Sequence, residues 1–393
     1  MIRKILWIVL MMMLSFLLVP FAVSALQSHE AYYLFLGDYP TQVELNWTHE
    51  ANGIAHDRDH WFIAQDLALW KIPVTCDLDA EVSPGRPCHA GAPPVLRIRM
   101  SQVPELAGYT HFGDPEWFEF DGRGYLFVPL EGRISPGVAV FRGDTLQYIH
   151  HALFPEHLQR YGSWCALDPQ GFLYSEAAPT NTAITKYGID WTTLRDQNRL
   201  ILQGGTHITL LNDRGAPVEI LNQQGGAISP SGELFYLVAG DETDLHDSHG
   251  LHVFDLATRR LVQRSSRTQE PFVFGWIPGL PECEEPEGLT IWDLDDGRAP
   301  GIRGQLHVLL LDNDPFHDEV YLKHYANTIY VDRTYTGTEA GTVWRPFRTL
   351  ATAYNFSWDG ARIRIRGGSY PETLTLSKRV MVEAYGGTAT VGP

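Results

Sequence analysis

The sequence contains few cysteines and fewer basic residues than acidic ones. Its 393 residues include four cysteines, and none of them has the Cys-x-x-Cys spacing of a metal site. Thirty Lys and Arg stand against 47 Asp and Glu, which gives a formal net charge of −17. So acidic a protein repels the phosphate backbone, and the composition therefore argues against nucleic acid as a partner.

Strong local catalytic motifs are also missing. The sequence has no Gly-x-Ser-x-Gly elbow, no His-Glu-x-x-His pair, no phosphate-binding loop and no dinucleotide fingerprint. Any active site must therefore be assembled from residues that lie far apart in the sequence. The sequence motifs assign no catalytic residue and identify no ligand-binding residue.

One long apolar run is present, and it lies at the N-terminus. Arg3 and Lys4 precede the apolar residues 5–19, and small residues suit cleavage after Ala25. This layout predicts a secretory signal peptide at residues 1–25 and a secreted or periplasmic protein with no stable membrane insertion after cleavage. The alternative is an uncleaved anchor, since the run is just long enough to span a bilayer.

Export permits disulfide bonds. Cys76 and Cys88 bracket a short segment rich in Pro and Gly, and a bridge that closes this loop is the natural interpretation. Elimination leaves Cys165 and Cys283 as a second pair. These two cysteines fall in repeats that are not neighbours, so their pairing stays open.

A short phrase recurs along the chain: an apolar strand end, a four-residue turn that usually carries Asp and Gly, and a strand that opens with aromatic residues. Clear copies lie at residues 120–127, 167–174 and 229–236, and a weaker copy lies at residues 55–62. Intervals of roughly 45 to 65 residues are typical of propeller blades, which are small sheets unable to bury their faces alone. The sequence therefore predicts an all-β fold with a β-propeller at residues 26–325.

The sequence is compatible with five or six blades. Five sets of strands can be placed between residues 53 and 324, and the fifth set lacks a clear outer strand. Strands around residues 32–36 and 43–47 could supply it and close the ring between the chain ends. If those strands belong to a further blade, the propeller has six blades.

Polar residues open the first strand of three blades. First strands line the central channel of a propeller, and their leading positions hold Asn52, Glu116 and Glu287. Such oxygen-bearing side chains suit Ca²⁺, which takes six to eight oxygen ligands. The alternative is that these side chains cap turns or bind water.

The Glu-Gly-Leu phrase at Glu287 and the polar channel positions resemble secreted calcium-dependent lactonases and phytase-like propellers. The resemblance implies a channel ion that polarises the scissile group. Asp293 and Asp295 add a second candidate calcium site, because they alternate before Gly297 as in half a calcium-binding loop. The far bidentate acid of such a loop is missing, and an ordinary hairpin turn explains the pattern equally well.

Residues 326–393 differ from the rest of the chain. They carry eight Lys and Arg against five Asp and Glu, so this segment is locally basic. Apolar residues at Phe347, Leu350, Ala351 and Tyr354 predict a short helix. Three strands are predicted after it, at residues 361–366, 372–376 and 380–384.

The helix and the Gly368-Ser369-Tyr370-Pro371-Glu372 turn resemble the opening of a right-handed parallel β-helix of the pectin-lyase-like kind. The resemblance implies a capping helix and one to two rungs at residues 326–393. Catalytic residues of that family lie on later rungs, so none is carried onto this sequence. Either the chain is a truncated relative of a longer β-helix protein, or this segment packs against the propeller.

These features together favour an exported, non-enzymatic binding or interaction module that recognises glycan or protein surfaces, an inference that rests on analogy of fold. The alternative is a calcium-dependent hydrolase of the lactonase or phytase-like kind. In that alternative Asn52, Glu116 and Glu287 hold the ion in the propeller channel.

Overall fold

The structure is a computed structural model. It describes residues 34–41, 43–177, 181–240, 250–264, 268–269, 272–273, 285–314, 317–339, 341–343, 345–357, 361–378 and 380–393. The predicted signal peptide at residues 1–25 and Cys283 lie outside the described residues.

Five antiparallel sheets form the five blades of a β-propeller. The chain enters with β1 (Leu34–Asp38), which belongs to the last blade. The first blade contains β2 (Ala51–His56), β3 (His60–Gln65), β4 (Ala68–Pro73) and β5 (Leu96–Arg99). Two 3-10 turns, Met100–Gln102 and Pro104–Leu106, lead to the second blade, which contains β6 (Tyr109–Phe112), β7 (Glu116–Phe120), β8 (Arg123–Gly132), β9 (Gly137–Arg142) and β10 (Tyr148–Leu153).

The remaining blades follow the same plan. The third contains β11 (Ala166–Leu167), β12 (Leu173–Glu176), β13 (Ala183–Ile189), helix α1 (Trp191–Gln197) and β14 (Leu202–Thr209). The fourth contains β15 (Gln223–Ile228), β16 (Leu234–Ala239), β17 (Gly250–Asp255) and β18 (Leu261–Arg264), and a two-stranded ribbon of β19 (Thr268–Gln269) and β20 (Phe272–Val273) follows it. The fifth contains β21 (Glu285–Ile291), β22 (Leu306–Asp314) and β23 (His317–Ala326), with β1 outside them.

The N-terminal strand closes the ring, which was one of the two alternatives left open by the sequence. Strand β1 pairs antiparallel with β23, and the ammonium group of Lys323 lies 3.0 Å from a carboxylate oxygen of Asp38. Neighbouring first strands contact one another around the axis, in the order β2, β7, β11, β15, β21 and back to β2. The blade count is therefore five, and the six-blade alternative is excluded.

Five hydrophobic clusters hold the blades together, one between each pair of neighbours. Each cluster takes side chains from both blades, for example Ile63 with Leu309, Phe62 with Phe141, Phe127 with Tyr187, Ile184 with Phe235, and Val253 with Val308. Burial of one such large apolar side chain contributes about 1.5–3 kcal/mol. A blade is apolar on both faces, so its stability depends on the blades beside it.

The C-terminal segment forms a small parallel sheet, and the predicted β-helix is not supported by it. Strands β24 (Thr328–Val331), β25 (Arg362–Tyr370) and β26 (Met381–Val391) pair in parallel, and helix α2 (Leu350–Phe356) contacts β24 and β25. The predicted strand at residues 372–376 is wrong. The Glu372 carboxylate instead accepts hydrogen bonds from the N–H groups of Leu350 and Ala351, both at 2.9 Å, and so caps the helix.

Cysteine pairing agrees with the sequence where the structure describes it. Cys76 and Cys88 form a disulfide with a Cα–Cα distance of 5.7 Å, as predicted. Cys165 is buried and forms no disulfide with another described residue, and its pairing with Cys283, which the sequence left open, is untested because Cys283 is outside the described residues. Within the described ranges, no helix combines the length and the apolar character that a bilayer crossing requires.

Candidate functional site at the propeller axis

One buried carboxylate lies at the propeller axis. Asp114 stands in the break between β6 and β7, and its two oxygens accept hydrogen bonds from the N–H groups of Ile54, at 2.9 Å, and Gly226, at 3.1 Å. The N–H of Leu289 is a third donor. The N–H of Asp114 donates to the carbonyl of Ser163 at 2.7 Å, just before the third blade. This residue of the second blade therefore bonds to all four other blades.

Glycine lets the blades approach Asp114. A Cβ atom on Gly288 would lie 2.4 Å from the Asp114 Oδ1 atom and 2.7 Å from the Gly53 Cα atom. A Cβ atom on Gly225 would lie 2.7 Å from the Gly288 Cα atom. The backbones of the first, fourth and fifth blades thus meet at Asp114, and the axis is closed at this level.

Burial raises the pKa of Asp114 well above its ordinary value, and the charge of Glu116 adds to this shift. The three backbone hydrogen bonds oppose the shift without cancelling it. Since the side chain is fully buried and bonded to the backbone, its role is structural. It joins the blades at the axis, beside the acidic residues described next.

Acidic side chains gather at the edge of the propeller where first strands begin and second strands end. Antiparallel pairing places these positions side by side, as Ala51 opposite Gln65 illustrates in the first blade. We call the following residues the mouth cluster: Asn52, Asp66, His111, Glu131, Glu176, Glu285 and Glu287. Hydrogen bonds or charge interactions link each of them to another member of the cluster.

An ion pair occupies one side of the mouth cluster. The Nδ1 atom of His111 lies 2.7 Å from the Oδ1 atom of Asp66, and the Asn52 amide donates to the same oxygen at 2.7 Å. Burial acts to raise the pKa of Asp66, but the His111 hydrogen bond and charge and the Asn52 amide outweigh it and lower that pKa. Burial acts to lower the pKa of His111, and the Asp66 carboxylate outweighs it and raises that pKa. Asp66 is thereby held ionised.

Two glutamates on β21 form the opposite side. Glu287 is buried and shares a hydrogen bond with Glu285. Burial raises the pKa of Glu287 well above its ordinary value, and the Glu285 charge and hydrogen bond and the charges of Asp114 and Asp66 raise it further. Glu287 therefore retains a proton at a pH where Asp66 has lost its own.

Two further glutamates end the second strands of neighbouring blades. The Glu131 carboxylate accepts a hydrogen bond from the N–H of Gly162. One carboxyl oxygen of Glu176 is buried and has no hydrogen-bond partner among the described residues. Burial raises the pKa of Glu176 well above its ordinary value, and the Glu131 charge adds to the rise.

The structure brings two of the three predicted channel ligands together. Asn52 and Glu287 belong to the mouth cluster, whereas Glu116 lies two residues beyond Asp114 along the second blade, where the N–H of Trp117 bonds to it at 3.0 Å. Burial raises the pKa of Glu116 to about 8. In the described parts of the chain, no group of three or more His, Cys, Asp and Glu is placed to hold a metal ion. The calcium ion stays a prediction, and no step below depends on it.

Asp293 and Asp295 lie in a turn after β21. Their carboxylates accept hydrogen bonds from the Gln305 amide at 3.0 and 2.7 Å, and Asp295 also accepts from the N–H of Gly304 at 3.0 Å. The hydroxyl of Tyr330 donates to Asp295 as well, which connects this turn to the C-terminal sheet. These contacts are those of an ordinary turn held by hydrogen-bond donors of the protein, which the sequence analysis gave as the alternative to a calcium-binding loop.

Sequence reasoning missed Asp66, Glu131 and Glu176 as site residues. Each stands at or just after the end of a second strand, and this position is the signal that marks them. The prediction of channel residues considered only first strands, whereas the mouth cluster also includes residues at the ends of second strands.

No known protein family matches this chain, and no curated protein matches it. Solved structures similar to it include the glutaminyl cyclase of Myxococcus xanthus, at 14% identity over 75% of this chain and 96% of that chain, with a TM-score of 0.38. RS223 β-xylosidase matches at 10% identity over 72% of this chain and 94% of that chain, with a TM-score of 0.42. The GH43 endo-arabinanase of Bacillus licheniformis matches at 10% identity over 70% of this chain and 92% of that chain, with a TM-score of 0.35.

The prediction of a non-enzymatic binding module is contradicted. The finding against it is that the solved structures named above carry the names of enzymes. Those names describe the other proteins. The activity of this chain is argued below from its own residues.

Proposed function

We propose that this protein is a hydrolase that cleaves a glycosidic bond by general acid–base catalysis at the mouth cluster. The observation that carries the proposal is the opposed pKa shifts of Asp66 and Glu287, which lie close enough for the Asp66 charge to act on Glu287. Environments that drive two carboxyl pKa values apart are how an acid and a base are assigned in one site. Glycoside hydrolysis is the reaction that uses such a carboxyl pair.

In this proposal Glu287 is the acid. Its proton passes to the oxygen of the leaving sugar as the glycosidic bond breaks. The hydrogen bond to Glu285 orients the carboxyl group of Glu287. The Gln224 amide nitrogen in turn lies 3.5 Å from the Oε1 atom of Glu285.

Asp66 is the second carboxylate and acts on a water molecule or directly on the sugar carbon. Both described donors, His111 and Asn52, bond to its Oδ1 atom. The Oδ2 atom accepts no hydrogen bond from the described residues, so it is open to a reacting group. The side chain is 37% exposed, which gives a substrate access to it.

Tyr161 supports a sugar as the substrate. It is 65% exposed, and the adjacent Gly162 is bonded to Glu131 in the mouth cluster. An exposed aromatic ring beside a polar site offers the flat apolar face on which a sugar ring packs.

The test is release of reducing ends from a panel of neutral and acidic polysaccharides. The comparison includes wild type, Glu287→Gln, Asp66→Asn and the control Glu119→Gln, whose side chain is exposed on β7. Loss of a catalytic acid or base costs about 10²- to 10⁴-fold in rate, so we expect at least a hundredfold loss for the first two variants and none for the control. If wild type releases reducing ends and both Glu287→Gln and Asp66→Asn retain that activity, the proposal is refuted.

We also propose an exported protein with two units, a propeller at residues 26–325 and the beginning of a β-helix at residues 326–393. The Cys76–Cys88 disulfide supports an oxidising compartment. The continuous parallel register, Thr328 opposite Arg362 and Arg362 opposite Met381, supports stacked rungs. N-terminal sequencing of exported protein should begin at Leu26. Intact residues 1–25 would contradict the proposed cleavage.

A further inference from the structure

A cavity of about 680 Å³ opens beside the mouth cluster on the first blade. Asp66 lies at one end, and the cavity extends across the blade to Arg97 and Arg99 on its outer strand. Leu106 and Tyr109 line its wall near the second blade. A substrate that reaches Asp66 therefore has room for a further unit over this blade.

The two arginines form an uncompensated positive pair in an acidic protein. They alternate on β5 and so project to the same face of the sheet. In the described part of the chain neither guanidinium forms an ion pair with a carboxylate, and the contact found for Arg97 is the Trp70 ring, with its Cζ atom 4.8 Å from the ring centroid. Burial lowers the pKa of Arg97, and the charge of Arg99 lowers it further. The two like charges repel each other, and an anion bound between them would relieve this repulsion.

Asp66 stands apart from this pair. Its side chain accepts hydrogen bonds from His111 and Asn52, and the charges that lower its pKa are those of His111 and His49. The cavity thus has an acidic end where bond cleavage is proposed and a basic end at the outer strand. A substrate suited to both ends is uncharged at the bond to be cleaved and negatively charged at a neighbouring unit.

We propose that this cavity is a subsite for an acidic sugar, whose carboxylate is bound by Arg97 and Arg99. The inference rests on the proposed glycoside hydrolysis and names its substrate class, a uronate-containing saccharide. Guanidinium groups suit a carboxylate because their N–H groups match its two oxygens. A sulfate ester presents related chemistry and is separated from a carboxylate by the experiment.

The experiment uses the Glu287→Gln protein, which is expected to bind substrate without cleaving it. Its binding is measured on an array of uronate-containing oligosaccharides, the same compounds with carboxyl groups reduced to alcohols, and sulfated neutral oligosaccharides. We expect binding to at least one uronate compound and a loss of tenfold or more on carboxyl reduction. Adding Arg97→Gln or Arg99→Gln should weaken uronate binding by about tenfold each, the effect of losing one charge-assisted hydrogen bond, and leave reduced compounds unaffected.

Arg214→Gln is the matched control, since Arg214 is an exposed arginine on a loop of the third blade. Equal binding of native and reduced compounds would overturn the subsite, as would preference for sulfated compounds or absence of binding to the whole array. Wild-type cleavage of neutral polysaccharides would in that case still support the proposed hydrolase. Absence of cleavage with intact Arg-dependent binding would instead refute the proposed function and leave the subsite.

Discussion

Replacing Asp114 by alanine tests how the propeller is held together at its axis. The substitution leaves the N–H groups of Ile54, Gly226 and Leu289 without their acceptor, in a place that water does not reach. Each buried unpaired donor costs about 1–3 kcal/mol, which sums to about 3–9 kcal/mol. Removing a buried carboxyl group recovers part of this, because its raised pKa shows that burial is unfavourable for the charged form. We therefore expect a loss of about 3–5 kcal/mol in the free energy of unfolding.

The assay is urea unfolding followed by tryptophan fluorescence, with Asp114→Asn and Glu119→Ala as companions. The asparagine retains one acceptor oxygen, so its stability should fall between those of wild type and Asp114→Ala. Glu119 is exposed on the same blade, and its substitution should change the unfolding free energy by no more than about 0.5 kcal/mol. An Asp114→Ala protein as stable as this control would refute the assignment of Asp114 as the link between blades.

Three further predictions concern packing, the disulfide and calcium. Gly288→Ala should lower the free energy of unfolding by about 1–3 kcal/mol in the same assay, because the added Cβ atom would lie 2.4 Å from the Asp114 Oδ1 atom. Gly188→Ala is the control, since its Cβ atom would have no neighbour closer than 3.4 Å. Equal losses for the two variants would contradict the close approach at Gly288. Replacing both Cys76 and Cys88 by serine should cost about 2–4 kcal/mol in thermal unfolding, and an unchanged midpoint would be the adverse result. Calcium chelation should lower the midpoint of thermal unfolding if the predicted ion is bound, with recovery on added Ca²⁺, and an unchanged midpoint would count against that ion.

The propeller was predictable because its signal is local and repeated. The turn phrase at residues 120–127, 167–174 and 229–236 lies between the first and second strands of three blades, and its spacing alone indicates small stacked sheets. The missing outer strand of the last blade suggested closure by the N-terminal strand, with a sixth blade as the alternative. Both conclusions needed only the order of apolar and turn residues.

The axis and the mouth were less predictable because they depend on convergence of distant blades. The sequence shows Asp114 as one acid near Glu116 and gives no sign that it bonds to four other blades. Asn52 and Glu287 were found from their strand positions, whereas Asp66 was missed because the end of the neighbouring strand was not considered. The false strand at residues 372–376 has a similar cause, since the helix-capping contacts of Glu372 are tertiary.

The measurement that tests the proposed catalysis most directly is the pH dependence of kcat/KM for wild type and His111→Gln. Activity requires ionised Asp66 and protonated Glu287, so the account predicts an acidic limb set by Asp66 and an alkaline limb well above the ordinary pKa of a glutamate. Removing His111 removes the partner that lowers the pKa of Asp66, so the acidic limb should move to higher pH. An acidic limb unchanged by His111→Gln, with full activity retained, would contradict the assignment of Asp66 as the ionised partner of Glu287.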